Sequence, residues 1–397
     1  MLVSNYLGQD VIYLMCLGEM DCSNMIIAFR VDSSVCIGTG HIIRCLTLAD
    51  ELSQLGAKCH FFIRKQKGSI HNFILDKGYK VHLLPEIKTD LNPNISDENL
   101  SNTINLSQHS DWLAGGWEND AADCLKLVKV IKPDLLIVDH YGIDERWEVI
   151  FSNYTRLMVI DDLADRVHKC DILLDQTFGR SVGDYQLLVS ADCQLLCGLK
   201  YALLRPEFAQ LRRSSLRRRL IPAINHLLIN MGGVDKDDAT SEVLKALIGC
   251  DLPELTKITV VMGLTAPWVE NVQNLAKDMP WETIVRVGIS DMAEVMAASD
   301  LAIGAAGSTS WERCCLGLPS IMVVLAKNQR ASCLNMSIAK LGRMIDSVEH
   351  IGSNLAYEIR YFSSNTMNMA RSTDLMSNVI DGYGAKEVAT IIIEKTK

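Results

Sequence analysis

Arg30-Val31-Asp32-Ser33-Ser34 and, a few residues on, Gly38-Thr39-Gly40-His41 hold the residue types with most to offer chemically. They follow an apolar run, MIIAFRV, and precede a helical pattern that begins near Ile42. A glycine-rich strand-to-helix turn presents backbone N–H groups and the positive end of a helix to an anion or a reacting oxygen. A histidine at that end favours its neutral form, which accepts a proton near neutral pH. His41 is therefore the candidate general base, with Arg30, Asp32, Gly38 and Gly40 as candidate substrate contacts. The GTGH run lacks the third glycine of a dinucleotide fingerprint and the Gly-Lys-Ser/Thr of a P-loop. A tight turn whose histidine only caps the helix is the competing reading.

Two further runs, DHYGID at 139–144 and IDDLADR at 160–166, stand at the carboxyl ends of apolar strands. Polar groups there face a cleft rather than a core, so Asp139, His140, Tyr141, Asp161 and Asp162 are candidates to hold sugar hydroxyls, a water or His41. Tyr141 and Asp161 are assigned to the substrate; helix capping competes for the aspartates. In NMGGVD, Gly232 and Gly233 let backbone approach a pyrophosphate. In IGAAGSTSWERCCLGLPSI, Gly307, Ser308 and Thr309 are candidate phosphate donors and Glu312 a carboxylate that can accept both hydroxyl protons of a ribose; a helix cap with close helix–sheet packing is the competing reading. Asn328 and Gln329, after PSIMVVLA, offer amides to a sugar or phosphate.

The elements that must position these groups alternate strand and helix patterns throughout. Runs such as LLIVD are apolar on both faces, as in a parallel sheet covered by helices. At 397 residues the chain exceeds the usual limit of one core. The arginine-rich, proline-bracketed segment 205–222 divides two stretches of alternation and is expected to be a solvated linker helix. The expected organisation is an N-terminal α/β domain at 25–210 with the histidine, a linker at 211–222, a second α/β domain at 223–355 that holds the nucleotide, and a helical tail at 356–397 packing back on the first domain. Two doubly wound parallel-sheet domains in tandem place ligands in the crevice between them.

Residues 1–24 lack the basic start and unbroken apolar run of a signal peptide and are expected to be a non-native or disordered extension, with Met25 the initiator. The composition, 48% hydrophobic and 22% charged, fits an ordered protein without a membrane span. A net charge of -9 gives no general attraction to nucleic acid. Thirteen cysteines without zinc spacing fit a reducing cytoplasm, with no metal expected.

Taken in order, RVDSS, GTGHIIRC, DHY, IDDLADR, CDILLDQ, YALLRPEF, MGGVD, SDLAIGAAGSTSWERCCLGLPSI and NQ resemble the UDP-sugar hydrolases of pseudaminic acid biosynthesis, from Met25 to about Gln329. That family is similar to the GT-B glycosyltransferases, so the resemblance implies two Rossmann-like domains facing a cleft. It implies hydrolysis of UDP-2,4-diacetamido-2,4,6-trideoxy-β-L-altropyranose to UDP and the free sugar, without metal or cofactor, in a route that serves flagellin glycosylation. It also implies that His41 activates water, Glu312 binds uridine, and Asn328 and Tyr141 line the sugar site. A GT-B glycosyltransferase using a UDP-sugar donor, and a non-catalytic nucleotide-sugar-binding protein, are the alternatives.

Overall fold

Runs that are apolar on both faces can bury both only inside a helix-covered parallel sheet, and that is how they are arranged. The computed structural model describes residues 24–87 and 109–396. Apart from Asn24, the expected N-terminal extension lies outside the described residues, as does most of the polar stretch near 86–110.

The first sheet holds β1 (Ile26–Val31), β2 (Lys58–Arg64), β3 (Lys80–Leu84), β4 (Leu135–Asp139), β5 (Arg156–Ile160), β6 (Ile172–Asp175) and β7 (Gln194–Cys197). All pairs are parallel, in the order β3-β2-β1-β4-β5-β6-β7. The second holds β8 (His226–Asn230), β9 (Lys257–Met262), β10 (Glu282–Val287), β11 (Leu301–Ala305), β12 (Ser320–Val323) and β13 (Arg343–Ile345). Its order, β10-β9-β8-β11-β12-β13, is again wholly parallel. Each sheet reverses direction next to its first strand, between β1 and β4 and between β8 and β11. Crossovers leave in opposite directions at such a point and open a crevice beyond the strand ends. The GTGH turn and Asp139 flank one crevice; the NMGG and GAAGS loops flank the other.

Apolar side chains cover both faces of each sheet. On one face of the first sheet, the helix Gly40–Gln54 shares its cluster with the chain's last helix, Gly384–Thr396, through Val388, Ala389, Ile392 and Ile393. Only this last helix packs back on the first domain: the helix Ile351–Ser363 runs across the expected boundary at 355, and it and the helix Thr366–Ser377 bury Leu355, Ile359, Phe362, Met369 and Met376 in the second domain.

The arginine-rich segment forms the helix Pro206–Arg218, but it is not solvated throughout. Arg219 is 6% exposed and donates to Met296 O, Ser299 O and Leu316 O at 3.0, 2.7 and 3.1 Å. Arg212 donates to the carbonyls of Ser377 and Ile380. Helix C-termini leave carbonyls without intrahelical partners, and a forked guanidinium satisfies several at once. Charge count alone does not separate such an arginine from a solvated one.

Candidate active site at the interdomain cleft

In the turn after β1, Ser34 Oγ accepts the N–H groups of Cys36 and Ile37, and Gly38 N–H bonds Ser34 O at 2.8 Å. Gly38 has φ +81°, a left-handed conformation that glycine adopts without strain. The chain then enters the helix Gly40–Gln54 with His41 in its first turn.

His41 Nδ1 lies 2.6 Å from Asp139 Oδ1 at the end of β4. Arg44, one turn further along the helix, grips the same carboxylate with Nε and Nη2, both at 2.6 Å, and reaches Asp162 with Nη1 at 2.5 Å. Burial pushes the Asp139 carboxyl up, but Arg44 and then His41 outweigh it and hold the group well below the usual carboxylate range. An ionised carboxylate only accepts, so Nδ1 of His41 must carry the proton. In the neutral ring Nε2 then keeps the lone pair, the arrangement a general base needs. Arg44 Nη2 approaches Nδ1 at 3.3 Å, a contact between two donors that converge on one oxygen.

Around His41 stands a wall of rings. Tyr141 meets it edge-on at 4.7 Å between centroids, Trp112 at 6.0 Å, and Trp112 stacks on Tyr141 at 5.5 Å. His109 closes the cluster, 4.5 Å from Trp112. The Tyr141 hydroxyl donates to Asp162 Oδ2 at 2.5 Å. Burial, and then Asp162, pushes its phenol up, so it stays a donor.

Three expected substrate contacts are placed elsewhere. Arg30 and Asp32 are buried at 0% and 1% exposure and bond each other at 2.6 and 2.8 Å. Arg30 also pairs with Asp120, which accepts from Arg64 and Trp147 as well. A buried charge is tolerated only when paired, and this network saturates both residues beneath the turn. Asp161 is also buried, accepting from Ala164 N–H at 2.9 Å and Tyr185 Oη at 2.7 Å beside Arg166. Burial opposes ionisation there, but Arg166 and then His168 lower the carboxyl to about 2. These groups stiffen the floor of the site instead of lining it. Asp144 is a helix cap, accepting Arg146 N–H at 3.0 Å.

The loops of the second domain come close to the turn. A Cβ on Gly233 would lie 2.6 Å from Thr39 Oγ1, and one on Gly40 would lie 3.6 Å from Ser308 Oγ. Gly232 has φ +85°. Gly233 backbone is itself packed against Gly263, where a Cβ would strike the Gly233 carbonyl at 1.9 Å. Gly307, Ser308 and Thr309 lead into the helix Thr309–Cys315, with Gln329 Nε2 3.6 Å from a Cβ placed on Gly307. Gln329 Oε1 accepts Leu325 N–H at 3.0 Å, whereas Asn328 is exposed. Glu312 faces Arg205 at 3.9 Å, and burial pushes its carboxyl up to about 7 against the pull of Arg205.

Sequence reasoning missed Arg44, Trp112, His109 and Arg205. Only Arg44 carried a signal, since three residues after His41 on a helix is the same face.

The glycosyltransferase family 28 C-terminal domain matches residues 238–379. The chain is 28% identical over 312 residues to the UDP-2,4-diacetamido-2,4,6-trideoxy-beta-L-altropyranose hydrolase of Campylobacter jejuni, a match covering 78% of this chain and 94% of that one. The chain is a homologue of this hydrolase. It is also 29% identical over 325 residues to an uncharacterized protein of Methanocaldococcus jannaschii, of whose length it spans only 59%, with 80% of this chain matched. Among solved structures, MurG of Acinetobacter baumannii superposes with a TM-score of 0.64 at 14% identity, over 94% of this chain and 99% of that one. The calicheamicin glycosyltransferase CalG4 gives 0.62 at 13% identity, over 94% and 98%. At such identities the likeness is one of fold, and the fold is GT-B-like. No described helix is long and apolar enough to cross a membrane.

Proposed function

We propose that this protein hydrolyses a UDP-sugar, UDP-2,4-diacetamido-2,4,6-trideoxy-β-L-altropyranose, to UDP and the free sugar, as a cytoplasmic step of pseudaminic acid formation. The observation that carries the reading is the 2.6 Å contact between His41 Nδ1 and Asp139, which leaves Nε2 as a base. The turn that carries His41 lies against the second domain's glycine-rich loops, Thr39 beside Gly233 and Gly40 beside Ser308. The resemblance to the Campylobacter hydrolase supplies the sugar.

UDP is a competent leaving group, so the reaction needs little acid assistance. It needs a water aligned with the anomeric carbon, a base to take its proton as the new C–O bond forms, and donors for the charge growing on the diphosphate. His41 takes that proton on Nε2, and Asp139 stabilises the imidazolium that results. Arg44 fixes Asp139, while Tyr141 and Trp112 narrow the space before the ring and limit the water's positions. Gly232, Gly233, Gly307, Ser308 and Thr309 bind the diphosphate, Glu312 accepts from the ribose, and Asn328 and Gln329 reach the sugar.

Incubating the protein with the UDP-sugar, with and without sugar acceptors, tests the reading. UDP and free sugar should accumulate at equal rates with water alone. Turnover that depends on an acceptor would make the protein a transferase; no turnover with tight UDP-sugar binding would make it a binding protein.

A further inference from the structure

Arg313 is 1% exposed, yet its guanidinium has no carboxylate within ion-pair distance among the described residues. Nη2 donates to Ala305 O at 2.8 Å and Ser310 Oγ at 2.9 Å, Nη1 reaches Thr309 Oγ1 at 3.5 Å, and Nε has no partner. All its acceptors are uncharged. Other buried arginines are treated differently: Arg30 and Arg64 share Asp120, Arg44 holds Asp139, and Arg219 rests on carbonyls at helix ends. Burying a cation without a counter-charge costs free energy, and burial pulls the Arg313 guanidinium down to about 10 despite Glu312 nearby. Glu312 does not cancel it, because that carboxyl is turned to Arg205 and is itself pushed up to about 7.

The position of this cation is specific. Nη1 occupies the space beside Gly304, where a Cβ would approach within 2.4 Å. The guanidinium therefore backs directly onto the loop that runs from the end of β11 to Ser310, touching three of its residues from the interior side. A positive charge in a poorly screened interior acts over several ångströms, so its field reaches an anion held on the outer side of the same loop.

We propose that Arg313 is a positioning residue for a diphosphate, supplying through Ala305, Thr309 and Ser310 the positive potential that this loop offers to its ligand without touching it. The inference rests on the reading of this domain as the UDP site. It makes the missing counter-charge the ligand's own phosphates.

Calorimetry with UDP, and competition with uridine, on the wild type, Arg313→Gln and Arg313→Lys tests it. Glutamine keeps amide donors but removes the charge, so UDP affinity should fall roughly tenfold while uridine affinity holds. Lysine keeps the charge and should retain UDP affinity within about threefold. Equal losses for UDP and uridine would make Arg313 a structural brace, and an unchanged UDP affinity in Arg313→Gln would remove its electrostatic role; either overturns the proposal. If the glutamine variant does not fold, Arg313→Met replaces it with the same expected outcomes. A wild type that binds no UDP would instead overturn the reading of the domain.

Discussion

At the scale of single residues, the account depends on which nitrogen of His41 is free. Asp139 is the group that decides it, through the 2.6 Å contact with Nδ1. Asp139→Asn should lower turnover by roughly a hundredfold or more while UDP affinity is kept, because the amide no longer fixes the ring's tautomer. The same change leaves Arg44 with Asp162 as its one carboxylate partner and should destabilise the fold by about 1–3 kcal/mol, read from a denaturant titration. Glu312 makes a separate prediction about pH. Its carboxyl, raised to about 7, is increasingly protonated as pH falls from 8 to 6, and a protonated acid cannot accept both ribose hydroxyls. UDP affinity should therefore weaken over that interval by more in the wild type than in Glu312→Gln, which carries no titrating group there. Parallel pH profiles in calorimetry would exclude the ribose role. The sign for stability is the opposite: the raised value makes Glu312 favour the fold most at low pH, a contribution lost as pH rises through about 7.

At the scale of elements, the parallel strands were legible because LLIVD and its like are apolar on both faces, and the GTGH and GAAGS turns because glycines mark a strand-to-helix junction. Trp112 was not, since it sits in a three-residue 3-10 turn, Ser110–Trp112, with no periodicity to announce it. The misplacement of Arg30 and Asp32 has a plain cause. A strand-end position suggests a cleft, but Asp120, 90 residues from Arg30, and Arg64, 32 residues from Asp32, enclose both, and no local pattern foretells a partner at that separation. Gly304 is a close-approach glycine of the second domain. Its replacement by alanine would press a methyl against Arg313 Nη1 at 2.4 Å and Asn230 O at 2.7 Å, the latter on neighbouring backbone. Gly304→Ala should cost about 1–3 kcal/mol of stability by denaturant titration and weaken UDP binding together with it.

At the scale of the whole molecule, the proposed base and the proposed diphosphate loops belong to different domains, which meet where Thr39 lies against Gly233 and Gly40 against Ser308. The last helix, Gly384–Thr396, braces the first domain from behind through Ile392 and Ile393, both fully buried. Ile392→Ala should destabilise the protein by about 2–5 kcal/mol, yet leave UDP affinity at permissive temperature unchanged, because the loops proposed to hold the nucleotide are on the other domain. That division of labour makes one comparison the most direct test of the account: turnover and UDP dissociation constant measured side by side for the wild type and His41→Asn with the UDP-sugar. The variant should lose a hundred- to ten-thousandfold in turnover, roughly the range of general base catalysis, with UDP affinity barely altered. If His41→Asn turns over at near wild-type rate, the histidine is only a cap and the central claim fails.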